Sequence, residues 1–487
     1  MNSPSSPMLP LFHGTGCIPF TSKDQPCSPK AYAAYSINVT GADDAAAGLK
    51  FAKENNIRLT IKNTGHDFLG RSTGPGALNL WVHNLKDISF KNYNSSAYSG
   101  PAITLGTGVQ GYEAYAAAHA RGYRVVGGDC ATVAPAGGYT QGGGHSLLSS
   151  TYGLAADQVL EWEVVTADGQ HLVASPTQHS DLYWALSGGG GGTYAVVLSM
   201  TSKLHPDGGV GGANMTFSAP TANNTVFWAA VETWQSSLPA IVDAGGYAVY
   251  IVTAKTFTLQ VLTLPGGTDR DASALLSPLL SHLRTTNLTY TVDTTSSPTY
   301  YDHYVHYFSP LPVGPYTNNE LIGGRFIPRA VATSNVGAVT SAIRDVVADA
   351  RFVFNGLAVN ANRSVAGASA AGGGGNAVHP GWRDALLSAI VQGAWNQTAA
   401  WGTNVAAEAK LTGELVPRLA SVAPGAGAYM NEADVDDAGW REDYFGGNYD
   451  RLRGIKAAWD PDDLFYAKTA VGSDEWTVDE EGRLCKV

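Results

Sequence analysis

The sequence predicts an α+β protein of two lobes, and two observations carry that prediction. Over residues 30–205 short helical and strand patterns alternate, broken by glycine turns. After His205-Pro206 the composition shifts. Strands then alternate with Ala-rich helices to about Pro424, the pattern of an antiparallel sheet with helical cover. At 487 residues the chain has length for two or three domains and an ample core.

Asp43 to Asn56 has helical spacing in Ala47, Leu49, Phe51 and Ala52, and Arg58-Leu-Thr-Ile-Lys62 reads as a strand feeding a glycine turn. Ala102-Ile-Thr-Leu105 is a strand, Tyr112 to Gly122 a helix closed by its glycine, and Tyr123-Arg-Val-Val126 a further strand. Leu160 to Thr166, the turn Ala167-Asp168-Gly169 and His171-Leu-Val173 form a hairpin. Five glycines, Gly188 to Gly192, precede Thr193-Tyr-Ala-Val-Val-Leu198. In the second segment Tyr247 to Val252 and Thr256 to Leu262 are strands, Val331 to Ala350 is helical, and Ala366 to Gly375 is a small-residue loop expected to be mobile. Tyr300-Tyr301-Asp-His303-Tyr-Val-His306-Tyr307 is a polar-aromatic run. As a strand it sets His303 and His306 on opposite faces, and no cysteine or carboxylate set completes a metal site. Gly427-Ala-Tyr429-Met-Asn431-Glu432 also reads as a strand, with Tyr429 and Asn431 on one face and Met430 and Glu432 on the other. A compact cluster, Tyr444 to Lys456, and Asp460-Pro461-Asp-Asp-Leu464-Phe465 close the chain, which has no internal repeat.

Hydrophobic residues make up 44% of the chain and charged residues 15%, which excludes a disordered protein. A net charge of −11 with no basic run argues against a nucleic-acid partner. No run of 18 apolar residues is present, so no membrane span is expected. Met1-Asn-Ser-Pro-Ser-Ser-Pro lacks the pattern of a signal peptide, consistent with a mature chain or one given a new Met. Sequons headed by Asn38, Asn94, Asn214, Asn223, Asn287, Asn362 and Asn396 favour secretion. Cys17 and Cys27 lie close enough to staple the entry segment, as disulfides do in oxidising compartments. Spacing leaves Cys130 and Cys485 pairable, although the Gly-Gly-Asp-Cys turn favours a functional thiol at Cys130.

Three glycine stretches compete for a cofactor. Gly106-Thr-Gly108-Val-Gln-Gly111 follows a strand and opens a helix, with Asp129 beyond it, the context of a dinucleotide-binding fingerprint. About 100 residues precede it, whereas such a motif usually opens its domain. Lys62-Asn-Thr-Gly-His66-Asp-Phe-Leu-Gly-Arg71-Ser-Thr-Gly74 is the better phosphate candidate, because its turn exposes successive backbone N–H groups. Gly127-Gly-Asp-Cys130-Ala-Thr-Val133-Ala-Pro-Ala-Gly137-Gly138-Tyr-Thr-Gln-Gly142-Gly143-Gly144-His145 offers an opposite wall. Neither contains Gly-Lys-Ser/Thr, which argues against a nucleoside triphosphate.

These two stretches, with the closing Asn-Tyr-Xaa-Arg-Leu and Asp-Pro-Xaa-Xaa-Leu-Phe signatures, resemble the fungal branch of the berberine-bridge-enzyme-like oxidases, in the vanillyl-alcohol-oxidase class. The resemblance covers nearly the whole chain. It implies a two-lobed PCMH-type FAD-binding domain, residues 1–205 and 425–487, with an antiparallel-sheet substrate domain covered by helices, residues 206–424. It implies FAD joined to His66 through the 8α-methyl carbon and to Cys130 through C6. It further places Asn63, Thr64, Gly65, Asp67, Gly70 and Arg71, then Val133, Gly137, Gly138, Thr140, Gly142, Gly143 and His145, and then Gly192, Val196, Asn448 and Tyr449, around the cofactor. Val133 matches a position that gates dioxygen, where a small residue goes with oxidases. By the same likeness Tyr429 is the expected base, assisted by Asn431, with Glu432 the fallback if the strand faces the other way. The polar-aromatic run 300–307 offers Tyr301 and His303 as a sugar- or phenol-facing wall. The implied activity is that of a secreted, monomeric FAD oxidase. It would oxidise an alcohol, hemiacetal or amine C–H by hydride transfer and reduce dioxygen to hydrogen peroxide. The alternatives are an oligosaccharide oxidase at the anomeric carbon, a secondary-metabolite oxidative cyclase or dehydrogenase, and a flavin-bearing binding protein without efficient turnover.

Overall fold

The computed structural model describes residues 22–26, 32–219, 224–314, 320–366, 375–479 and 483–487. Its N-terminal part carries two sheets. A parallel sheet has the order β1 (Tyr35–Asn38), β3 (Leu78–Trp81), β2 (Leu59–Lys62). The helix Ala42–Glu54 joins β1 to β2 and buries Ala45, Leu49 and Ala52, the face its helical spacing predicts. The second sheet is antiparallel, in the order β4 (Ile88–Asn94), β5 (Ser99–Gly106), β9 (Val196–Lys203), β7 (Val159–Val165), β8 (His171–Ala174).

That antiparallel order removes the dinucleotide-binding reading. β5 leads into the helix Gly111–His119, but both strands paired with it run antiparallel to it, so no parallel βαβ unit forms there. A Cβ on Gly108 would lie 2.0 Å from the His83 carbonyl oxygen, and one on Gly106 would lie 2.5 Å from that of Leu85. These glycines allow close chain packing.

The middle of the chain forms a seven-stranded antiparallel sheet. Its order is β14 (Tyr290–Ser297), β11 (Val210–Ser218), β13 (Thr256–Pro265), β12 (Tyr247–Val252), β16 (Phe352–Ala358), β17 (Ala385–Ala394), β15 (Glu320–Pro328). Strand alternation gives this sheet two buried faces. In β12, Ala248, Tyr250 and Val252 pack outward under the helices Thr225–Asp243, Asp269–Thr285 and Val336–Val346. Tyr247 and Val249 pack inward, against residues of the N-terminal part such as Leu147 and Val126. Short ladders pair β6 (Tyr123–Arg124) with β10 (His205–Pro206), and β18 (Trp476–Val478) with β19 (Leu484–Lys486).

Several elements differ from the sequence reading. Residues 300–308 form a helix rather than a strand, started by Thr299, whose hydroxyl accepts from the Asp302 amide at 3.1 Å. The expected helix 331–350 is two, Arg329–Ser334 and Val336–Val346, broken at Asn335. The strand at 123–126 shrinks to two residues. Tyr429 is extended, but Met430–Glu432 is a 3₁₀ turn, so strand alternation does not govern this segment. Cys17 and Cys27 lie outside the described residues, as does most of the 366–375 run. Cys485 is free and exposed.

The C-terminal segment folds back onto the N-terminal part. Buried Lys456 pairs with Asp460 and donates to the carbonyl oxygens of Thr193 at 3.0 Å and Phe465 at 2.7 Å. A buried ammonium survives only when its donors are satisfied, and here one charge ties two chain segments together.

Candidate active site

Between the two sheet systems lies one cavity of about 430 Å³. The first glycine stretch supplies Asn63 through Leu69, Arg71 and Ser72; the second supplies Gly128, Asp129, Cys130, Val133, Gly137, Gly138 and His145. Gly192, Phe465 and Tyr466 close one side, and the inner face of the seven-stranded sheet closes another. Tyr429, Asn431 and Glu432 all reach the same space.

The first stretch is a turn that only glycines permit at two places, Gly65 at φ 105° and Gly70 at φ 69°. Asp67 holds it closed, accepting from the Leu69 amide at 3.1 Å and from the Ser72 amide and hydroxyl at 2.7 Å each. The backbone N–H groups of Thr64 through Phe68 donate to no carbonyl or side chain among the described residues. A run of unpaired N–H groups on a cavity wall suits an anion such as a pyrophosphate. At Gly138 and Gly192 the Cβ direction is open, leaving room for a bound group. The Asn63 Oδ1 atom is buried without a partner, while its Nδ2 donates to the Thr107 carbonyl. Arg71 is spent on the chain, donating to the carbonyls of Lys468 and Thr469 at 3.1 Å each, and so pins the closing segment.

His66 and Cys130 both face the cavity. His66 Nε2 lies 2.7 Å from the Thr132 hydroxyl, which joins the first stretch to the cysteine turn. Burial lowers the imidazole pKa to about 4, so His66 is neutral and carries a free electron pair. Burial, with the Asp129 carboxylate adding to it, pushes the Cys130 thiol up to about 12. The cysteine turn is gripped from behind: Tyr115 Oη donates to the Gly128 carbonyl at 2.5 Å and Tyr304 Oη to the Asp129 carbonyl at 2.8 Å. The aromatic run 300–307 therefore supports the turn through Tyr304.

A second polar cluster adjoins these residues. His145 Nε2 is 3.0 Å from Glu432 Oε1, and its Nδ1 is 2.8 Å from the Tyr247 hydroxyl. Burial pulls the His145 pKa down, but the Glu432 charge and hydrogen bond outweigh it, and the net shift is upward. Glu432 Oε2 is buried and has no partner among the described residues. Asn431 Nδ2 donates to the Tyr429 hydroxyl at 2.8 Å and to the Gly138 carbonyl at 3.0 Å. Burial drives the Tyr429 phenol well above its ordinary value, so it stays protonated.

Other expected site residues stand apart from the cavity surface. Gly142 sits behind Asn431, whose amide a Cβ would meet at 2.5 Å, and Gly143 adopts φ 121° in the same turn. Gly70, Thr140 and Val196 lie outside the cavity lining. Asn448 donates to the carbonyls of Ala377 and Val378, and Tyr449 to Asp474. His303 is fully buried with its Nε2 2.8 Å from the Thr263 hydroxyl, and Tyr301 stacks on His119. The helix turns these two side chains away from the cavity, where a strand was expected. Thr132, Phe465, Tyr466 and the sheet-wall residues escaped the sequence reading. Strand alternation marks which β12 and β16 side chains share a face, but not that this face meets a cofactor cavity.

Among the described residues no three or more His, Cys, Asp or Glu side chains group to hold a metal ion, and no helix is long and apolar enough to cross a membrane. The donor set, the anion cradle and the long cavity fit a flavin dinucleotide.

Comparison with known proteins agrees. An FAD binding domain model matches residues 33–175, and a berberine and berberine-like model matches residues 428–472. The fold and site thus define an FAD-dependent oxidoreductase. An FAD-linked oxidoreductase of Neocamarosporium betae is 46% identical over 490 residues, covering 99% of this chain and 82% of the relative. The crystal structure of a VAO-type flavoprotein from Myceliophthora thermophila superposes with a TM-score of 0.93 at 45% identity, covering 98% of this chain and 86% of that one. A glucooligosaccharide oxidase from Acremonium strictum, described with a 6-S-cysteinyl, 8α-N1-histidyl FAD, shares the fold at 19% identity and a TM-score of 0.72, with 90% and 92% coverage. The chain belongs to the VAO-type, berberine-like family of fungal FAD-linked oxidoreductases.

Proposed function

We propose that this protein is a secreted oxidase carrying FAD on both His66 and Cys130, and that it oxidises a carbon bearing a hydroxyl or amine with release of hydrogen peroxide. The observation that carries the reading is Glu432. One of its oxygens is held by His145 and the other is buried without a partner, in the cavity that His66 and Cys130 also line. When bound, FAD would supply the acceptor for the substrate's hydride and the route of two electrons to dioxygen. The chain's own part is acid–base work and positioning. Glu432 takes the proton of the substrate hydroxyl as the carbon loses its hydride, leaving a carbonyl, and His145 steadies the carboxylate. Tyr429, protonated and oriented by Asn431, donates a hydrogen bond to the reacting oxygen. This assigns the base to Glu432 rather than to Tyr429, because a buried phenol ionises too reluctantly to accept a proton at neutral pH.

The two attachments are supported by the pairing of His66 and Cys130 on one cavity and by the described flavin of the Acremonium strictum oxidase. Neutral His66, with Nε2 engaged by Thr132, keeps Nδ1 for bond formation. Val133 on the cavity wall supports dioxygen access. Exposed sequon asparagines, Asn38, Asn94, Asn287 and Asn396, are consistent with secretion; Asn214 lies within the seven-stranded sheet.

The test is the colour of acid-denatured, washed protein. Wild type, His66→Ala and Cys130→Ala should each retain flavin, and the double variant should lose it. A colourless wild-type pellet removes the covalent reading.

A further inference from the structure

The substrate itself can be narrowed, given the oxidase reading above for where the reacting carbon sits. The wall facing the glycine stretches is the inner face of the seven-stranded sheet, and five of its nine lining residues are aliphatic. Val249 and Ile251 come from β12, Ile322 from β15, Leu357 from β16 and Ile390 from β17. Among the described residues no aromatic side chain of this sheet lines the cavity. Four polar residues interrupt them, and two of these pair: Asn355 Nδ2 donates to Gln392 Oε1. Ile251 and Ile390 stand directly across from Asn355, and Ile322 across from Gln392. Bonded to each other, the two amides still offer the Asn355 carboxamide oxygen and the Gln392 amide hydrogens. The other polar residues of this wall, Gln260 and Glu320, stand on β13 and at the first residue of β15.

We propose that this wall selects an alcohol borne on a largely apolar ring or chain that carries a further hydrogen-bonding group, and that the Asn355–Gln392 pair reads that group. A saccharide presents a hydroxyl on nearly every carbon. Each one pressed unpaired against aliphatic side chains weakens binding by about tenfold. The spacing fits a compact skeleton. The Glu432 carbonyl sits over Gly324 of β15, where a Cβ would meet it at 2.4 Å. Gly324 faces Ile390, and Ile390 faces Asn355, so the backbone under Glu432 and that of Asn355 are two strand spacings apart, about 10 Å, with Gln392 on the strand between them. A six-membered carbon ring with a hydroxymethyl arm at each end is a compact probe of that scale.

The test titrates the purified flavoprotein with cyclohexylmethanol, cyclohexane-1,4-dimethanol and glucose, three ligands of one ring size, and reads the perturbation of the flavin absorption spectrum. The diol should bind about fivefold more tightly than the mono-alcohol, the worth of one neutral hydrogen bond. Glucose should bind at least about tenfold more weakly than the diol. Asn355→Leu should erase the preference for the diol, and Gln392→Leu provides the same test should the first variant misfold. Glucose binding as tightly as the diol, a diol preference surviving in either variant, or no saturable binding of either cyclohexane alcohol overturns the proposal. Anaerobic bleaching is scored separately: a diol that binds with the expected preference but never bleaches the flavin upholds the wall assignment and rejects the oxidase reading.

Discussion

Replacing Glu432 by Gln removes a charge while keeping shape and one hydrogen-bond acceptor, and three consequences can be worked from the geometry. At 3.0 Å from His145, the pair attracts by about 5–6 kcal/mol at an effective dielectric near 20, before desolvation is counted. Breaking a buried pair costs about 3–5 kcal/mol, and because Gln still accepts from His145 the low end, about 3 kcal/mol, applies. The second consequence is kinetic. Loss of a general base slows the chemical step about 100- to 10,000-fold, equivalent to about 3–5 kcal/mol of barrier. The third is the sign of a pH dependence. His145 titrates above its ordinary 6.5, so the pair's stabilisation is complete below that pH and fades as pH rises through the folded value. Without the Glu432 charge burial dominates, and His145 titrates below 6.5. Glu432→Gln should therefore destabilise more at pH 6 than at pH 8. The assay is anaerobic stopped-flow bleaching with the alcohol that reduces wild type fastest, beside thermal unfolding at both pH values. Tyr429→Phe should slow bleaching by no more than about tenfold, the loss of one donor. A Glu432→Gln rate within about threefold of wild type, with Tyr429→Phe slowed at least about a hundredfold, would refute the assignment and make Tyr429 the base.

Two further outcomes test the surroundings. In a Cys130→Ala background, Thr132→Val keeps side-chain shape but frees His66 Nε2, so flavin attachment should slow about fivefold, read as flavin retained by denatured protein over time, with Thr132→Ser near the background rate. Glu408, buried beside Asp436, is held at about 7 first by burial and then by that carboxyl. A raised carboxyl favours the fold below about pH 4.5 and loses that contribution as pH rises through about 7. Solvent still screens this carboxyl, so Glu408→Gln, which copies the protonated form, should add only about 1 kcal/mol, a few degrees in Tm, at pH 8 and little at pH 4.5.

Much of the site was legible in one dimension because its chemistry is local. A strand running into Asn-Thr-Gly-His66 and a Gly-Gly-Asp-Cys130 turn each carry their backbone demands in their own residues, and the structure sets both on one cavity. The helix 42–54 and the paired strands β12 and β13 were equally readable, since periodicity is a local property. Local pattern failed where neighbours decided. Tyr300–Phe308 has too many aromatics for its period to show, and an N-cap at Thr299 together with packing on Tyr115 makes it a helix. At 427–432 the tertiary path bends the chain, so that Tyr429, Asn431 and Glu432 converge instead of alternating.

The sequence by itself singled out residues that the structure sets on one cavity: the histidine, the cysteine, glycines that let backbone turn, and the tyrosine, asparagine and glutamate near the end of the chain. Only the tertiary structure decided which of them touch. Residues 287 positions apart must meet before Glu432 finds His145, and the register of strands joined by long connections sets Asn355 beside Gln392 on the cavity wall. Backbone conformation is written in neighbouring residues, whereas the ionisation, orientation and selectivity of a side chain depend on contacts that only the closed fold brings together.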